Sequence, residues 1–285
     1  MGKISKLVET IEKENFEERP ETLTQSTGRV DKSEEKGQVS EKATFPHVTL
    51  TEVDPRLLVY HEPESIVAEN FKILRSQILH PRTGLPSRFI LVTSAVPKEG
   101  KTYTSISLAF SFARTTPTIL IEADLRKPTF AEKLGIKTDR GLADFLSGKI
   151  SDLSSVVYKT DYHNLYILPA GELSSEAKDL FSSEAIVHFM EELRTTFPKD
   201  FFIFDSPPVL VASESISLSR LVDGILFVVR YAFSDYEVIA EAVDKIGKSK
   251  LLGFVFNNYM PSSLGLFSPK LKYYHYAYKY KYYRK

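Results

Sequence analysis

Cysteine is missing from all 285 residues. That excludes disulfides, thiolate nucleophiles and Cys-ligated zinc, and it fits a reducing compartment. Apolar residues make up 42% of the chain, as in globular domains, yet no run approaches the roughly 20 that span a bilayer. Net charge is missing too, since 37 basic residues balance 37 acidic ones, so bulk electrostatics select no partner. Lys and Glu interrupt the apolar positions at the N-terminus from the start, unlike a signal peptide. There is no internal repeat. The expectation is a protein made and kept in the cytoplasm, reaching the inner face of a membrane through a partner or a surface helix.

Three regions are expected. In residues 1–47, Ile4, Leu7, Val8 and Ile11 stand at i, i+3, i+4 and i+7, one apolar helix face. That helix docks on its own domain or serves as a docking peptide for a membrane partner. From about Asn15 to Lys42 the chain is Glu, Lys, Ser, Thr and Gln with almost no large apolar residue, which reads as a disordered linker. Residues 48–262 alternate strand-like and helical patterns. Val67, Phe71, Leu74 and Ile78 make a helical stripe, leaving Glu69, Lys72 and Arg75 pointing away from it. Strands are read at 88–93, 118–122, 165–168, 201–205, 224–230 and 251–256, and helices at 106–113, 183–195 and 235–246. The alternation predicts an α/β fold, a mainly parallel sheet with helices on both faces.

Ser94 to Thr102 follows the first long apolar strand and leads into the helix of Ile106 to Ala113. Gly100-Lys101-Thr102 ends a Walker A phosphate loop, which defines a P-loop NTPase. Backbone N–H groups of the loop from Ala95 to Tyr103, Pro97 excepted, and the helix start face the phosphates of ATP. Lys101 reaches the β/γ oxygens, and the Thr102 hydroxyl ligates Mg²⁺. Ala95 stands where a first glycine is usual. Pro97, Lys98 and Glu99 fill the loop, with Lys98 either a second phosphate ligand or a solvated lysine. Two further apolar strands end in carboxylates. Thr118–Arg126 puts Glu122 and Asp124 at a strand's C-terminal end, where open α/β sheets bind ligands; an N-cap for the next helix is the other reading. Asp205 ends the run Phe201–Phe204 and reads as a Walker B carboxylate holding Mg²⁺ directly or through water.

The last region, 263–285, holds Tyr273, Tyr274, Tyr276, Tyr278, Tyr280, Tyr282 and Tyr283, seven tyrosines in the final fourteen residues. No globular core needs such a cluster there. An added strand or a stacking surface for nucleic acid competes with the reading as a flexible modification substrate. Residues 271–285 carry five formal positive charges. Each phosphate adds about −1.5 to −2, so a few reverse the sign.

Taken in order, these motifs resemble the bacterial tyrosine kinases of capsule and exopolysaccharide export. The resemblance covers roughly Glu62 to Met260 plus the tail. It implies an ATP- and Mg²⁺-dependent protein-tyrosine autokinase that modifies its own tyrosine cluster in trans. In it, Ile119–Arg126 corresponds to the Walker A′ motif, whose first carboxylate, here Glu122 in place of the usual Asp, is the proposed base for the tyrosine hydroxyl. It implies Thr102, Asp124 and Asp205 as the metal set and Lys101 on the phosphates. Arg126 is expected on the phosphates, on the acceptor or in a structural salt bridge, and analogy with related P-loop ATPases implies that Asn257 touches adenine. Glu69-x-x-Lys72-x-x-Arg75 matches a motif that packs subunits into a ring, with Lys72 in place of an arginine. The implied partners are a membrane-anchored polysaccharide co-polymerase that activates the kinase, further copies of the chain and a phosphotyrosine phosphatase, with no nucleic acid. Two alternatives lack kinase activity: a partitioning-type ATPase, against which Val96 stands where those carry an extra lysine, and an ATP-binding gating subunit.

Overall fold

The computed structural model describes residues 45–82, 84–172, 180–182 and 184–258. The apolar face at residues 4–11, the polar linker and the tyrosine cluster lie outside the described residues.

Among the described residues one sheet holds eight strands: β1 (His47–Val48), β2 (Phe89–Ser94), β3 (Thr118–Glu122), β4 (Tyr158–Thr160), β5 (Leu165–Leu168), β6 (Phe201–Asp205), β7 (Gly224–Arg230) and β8 (Leu251–Asn257). Their order is β1-β4-β5-β3-β6-β2-β7-β8. Only β4 and β5 pair antiparallel; the other neighbours run parallel. Every residue of β2, β3 and β6 is buried, which explains their continuous apolar runs: both faces are covered, so no polar alternation is needed. Successive side chains still go to opposite faces. Phe89, Leu91, Ile119, Ile121, Phe202 and Phe204 enter one core, whereas Ile90, Val92, Leu120 and Ile203 enter the other.

Helices α1 (Leu58–His61), α2 (Ile66–Leu79), α3 (Lys101–Ala113) and α4 (Phe130–Leu134) pack over the second face. Helices α5 (Leu142–Leu146), α6 (Glu184–Thr196), α7 (Glu214–Leu221) and α8 (Tyr236–Ile246) pack over the first. This is the expected α/β arrangement. The stripe on α2 also behaves as read, with Phe71 and Ile78 buried and Val67 and Leu74 packed against the core. The short elements β1, β4, α1, α4, α5 and α7 escape a periodicity reading, because two to eight residues hold too few turns or alternations to show a period.

Helix α3 begins at Lys101, five residues before its expected apolar start. Gly100 makes this possible by adopting a left-handed φ of 97° at the N-cap, a conformation open to glycine. The consequence for the site is topological. Strands β3, β6 and β2 are neighbours at the sheet centre and run parallel, so Glu122, Asp205 and the loop after Ser94 emerge side by side.

Candidate functional site

The loop after β2 is held from within and from without. The Val96 N–H donates to Glu99 Oε2 at 3.2 Å, and Ser234 Oγ donates to Glu99 Oε1 at 2.8 Å. Asn257 Nδ2 donates to the Glu99 carbonyl at 2.9 Å, and a Cβ at position 100 would sit 1.9 Å from that same Nδ2. Glu99 is therefore a buried brace for the loop, not a phosphate contact. Lys98 is exposed at a left-handed φ of 69°. Past Gly100, the first amides of α3 lack helical partners and form an anion-seeking helix start.

Asp205 is buried at the end of β6 and takes one hydroxyl on each oxygen. Thr102 Oγ1 donates to Oδ2 at 2.7 Å and Ser105 Oγ to Oδ1 at 2.9 Å. Burial pushes its pKa up to about 6, against the nearby Lys101 charge and the two hydroxyl bonds. Burial also raises Asp124, and Lys101 again opposes the shift, so the Lys101 charge acts on both carboxylates. Lys101 itself is buried. One hydroxyl, two carboxylates and no sulfur or imidazole form an oxygen-only set that suits a hard cation such as Mg²⁺. A glycine-turned helix start beside it suits phosphate oxygens, so the residues present fit a Mg²⁺–nucleotide.

Glu122 differs from the expectation of a base facing the acceptor. Its carboxylate is 2% exposed and turned to backbone amides. Oε1 accepts from Thr129 N and from Phe130 N, the latter at 2.8 Å. Oε2 accepts from Ala170 N at 3.1 Å. Burial raises its pKa to about 7, and the three amide bonds pull the other way. The capping alternative is thus realised: Thr129 is the N-cap of α4 and makes no side-chain cap of its own, and Glu122 supplies one.

Three other expectations meet a different geometry. Arg126 makes a fork to Glu214, Nε to Oε1 at 2.7 Å and Nη2 to Oε2 at 3.1 Å, so its structural alternative is the one realised. Asn257 spends its amide on Glu99 and accepts the Asn258 N–H on Oδ1 at 2.9 Å, which leaves its place by adenine unsupported. The Tyr103 ring lies edge-on to Phe71, centroids 6.5 Å apart, facing α2. On α2, Lys72 pairs with Glu69 at 3.1 Å, while the Arg75 guanidinium donates to the Ser111 carbonyl on α3. Desolvation, more than the Arg114 charge, lowers the Arg75 pKa.

Ser105, Ser234 and Glu214 escaped the sequence reading. Ser105 had a signal: it stands i+3 from Thr102, so both hydroxyls occupy one helix face towards the carboxylate of β6. Glu214 and Ser234 join partners 88 and 135 residues away and carry no local pattern.

No family model matches the chain. The tyrosine-protein kinase YwqD of Bacillus subtilis is 31% identical over 199 residues, 69% of this chain and 83% of that protein. The succinoglycan biosynthesis transport protein ExoP of Rhizobium meliloti is 30% identical over 218 residues, and the chain spans only 27% of its length. Among solved structures, the VpsO kinase domain superposes with a TM-score of 0.62 at 30% identity, over 71% of this chain and 99% of that one. With its phosphate loop, paired strand-end carboxylates and this likeness across most of a relative's length, the chain belongs to the bacterial tyrosine-protein kinases.

Proposed function

We propose that this chain is an ATP-dependent protein-tyrosine autokinase that phosphorylates the cluster Tyr273, Tyr274, Tyr276, Tyr278, Tyr280, Tyr282 and Tyr283 of a second copy. One observation supports this most: Lys101, the Thr102–Asp205 pair and Asp124 converge where β2, β3 and β6 end, in a chain of a tyrosine-kinase family. Residues 48–262 form the kinase domain, with 1–47 and 263–285 as flanking segments.

Phosphoryl transfer is governed by positioning and charge neutralisation. Lys101 and the backbone amides of residues 100–103 hold the β- and γ-phosphate oxygens. Thr102, Asp124 and Asp205 would hold Mg²⁺, which when bound neutralises charge on those oxygens. Ser105 keeps the Asp205 carboxylate oriented, and Glu99 with Asn257 keeps the loop open. Lys98 stands exposed at the loop tip, available as a second phosphate cation.

The wider role is polysaccharide synthesis and export, as the name of ExoP indicates for that relative. No helix among the described residues is long and apolar enough to cross a membrane. In this reading a membrane-anchored co-polymerase recruits the chain to the inner face of the membrane. Copies of the chain assemble in a ring through the α2 face of Glu69 and Lys72, and a phosphatase resets the tail. Charge reversal of the tail by phosphate loosens the ring.

Mixing isotope-labelled Lys101→Met chain with unlabelled wild type and Mg-ATP tests the transfer. Phosphotyrosine on labelled tails is the expected result; labelled tails left bare while wild-type tails are modified would overturn transfer in trans, and both left bare while wild type binds ATP would overturn the kinase reading.

A further inference from the structure

The residues between Glu122 and Thr129 form a loop that carries Asp124 and Arg126. Its two ends are tied by one side chain: Glu122 opens the loop, and its Oε1 accepts the amides of Thr129 and Phe130 that close it. The second oxygen reaches across the sheet end to Ala170. That turn supports α5 in its own right, because the carbonyls of Pro169 and Ala170 accept the amides of Leu142 and Ala143 at 2.8 and 2.9 Å. Inside the loop, Asp124 Oδ1 accepts the Lys127 amide at 3.1 Å, and Arg126 is braced on buried Glu214.

We infer that Glu122 is a positioning residue, a clasp whose carboxylate closes the 123–128 loop and thereby sets where Asp124 stands, and that it does not take the proton of the acceptor hydroxyl. The geometry carries this in three ways. Both oxygens are committed to main-chain donors. Those donors belong to ordered segments and cannot swing aside as a hydroxyl can. The side chain is buried at 2% exposure, with both oxygens turned to these amides. Hydrogen bonds to a charged acceptor are stronger than neutral ones. Freeing the carboxylate for proton transfer would strand the buried N–H groups of Phe130 and Ala170 and the partly buried one of Thr129.

Length matters as well as charge. Aspartate would withdraw the carboxylate by about one C–C bond, ~1.5 Å, beyond reach of α4 and Ala170 together. Glutamine keeps the length and one acceptor oxygen, so it preserves the bonds to Thr129 and Phe130 while meeting the Ala170 N–H with a donor.

The inference refines the proposed kinase site, and its test separates the two. Wild type, Glu122→Gln, Glu122→Asp and Asp124→Asn are compared as full chains by amide hydrogen exchange, by Mg-ADP affinity and by autophosphorylation rate. For Glu122→Gln the clasp predicts exchange faster by roughly ten-fold or more at Ala170 alone, the equivalent of one lost bond. Its Mg-ADP affinity and rate should fall by no more than about ten-fold. Glu122→Asp should release all three amides and weaken Mg-ADP binding more than Glu122→Gln does. Asp124→Asn should lose binding or rate while leaving the three amides protected. A Glu122→Gln chain that keeps all three amides and normal Mg-ADP affinity yet loses about 10²–10⁴-fold in rate, as removal of a general base does, would overturn the inference. Exchange and Mg-ADP binding read the clasp even if wild type transfers no phosphate. In that case unchanged protection at Thr129, Phe130 and Ala170 in Glu122→Asp would overturn it.

Discussion

Glu122 and Asp205 end neighbouring strands and stand opposite each other in the β3–β6 register. Both are buried carboxylates with pKa values raised by desolvation. They differ in what donates to them. Asp205 is met by two hydroxyls from one helix face; a hydroxyl can keep its hydrogen on the carboxylate while offering a lone pair to a cation. Glu122 is met by three main-chain amides, which have nothing to offer a ligand and hold fixed positions. Residue type and strand position are alike, and the donors decide that one carboxylate faces chemistry while the other holds the fold.

The largest effect should come from the hydroxyl-bound member of this pair. Asp205→Asn removes a charge from the cation-binding set, and autophosphorylation should drop by at least about 10²–10³-fold with the thermal midpoint little changed or raised, since a buried charge is gone. A rate within ten-fold of wild type would erase the distinction between the two carboxylates.

Next comes the strut beside the clasp. Arg126→Ala leaves Glu214 buried without its cation. The loss should be about 2–3 kcal/mol, below the 3–5 of a fully buried pair because Arg126 is a third exposed. Chemical denaturation measures it, and the double replacement Arg126→Met with Glu214→Leu should recover most of the loss. If the single change costs nothing, the loop is not braced there.

Ser105→Ala should weaken Mg²⁺ dependence by roughly ten-fold, the worth of one bond to a charged group, read as a shift in the Mg²⁺ midpoint of nucleotide binding. The smallest effect is a gain. Lys98→Gly relieves a left-handed residue and should stabilise by about 0.5–1 kcal/mol after the added freedom of the unfolded chain is counted. Weaker ATP binding in that stabilised variant would mark Lys98 as a phosphate ligand; unchanged binding would mark it as a solvated lysine.

Much of the scaffold was legible because burial on both faces writes itself as apolar runs. Phe201–Phe204 and Thr118–Ile121 announce strands, and the acids that end them stand out against those runs. Gly100-Lys101-Thr102 announces the turn into α3 by spacing alone. The role of Glu122 was not legible. Its donors are backbone amides 7, 8 and 48 residues away, and main-chain N–H groups leave no mark on a sequence. Arg126 and Asn257 illustrate the same limit from the other side. A guanidinium and an amide near a phosphate loop suggest ligand contacts, but Glu214 and the Glu99 carbonyl claim them through long-range packing that no local pattern encodes.

The measurement closest to the central claim is phosphorylation-site mass spectrometry of the full chain after incubation with Mg-ATP, beside Lys101→Met, with and without the cytoplasmic segment of the proposed membrane partner. The account predicts phosphate on residues among Tyr273 to Tyr283 in wild type and none in Lys101→Met. Tyrosines left bare in both chains under either condition, while wild type binds and hydrolyses ATP, would contradict it.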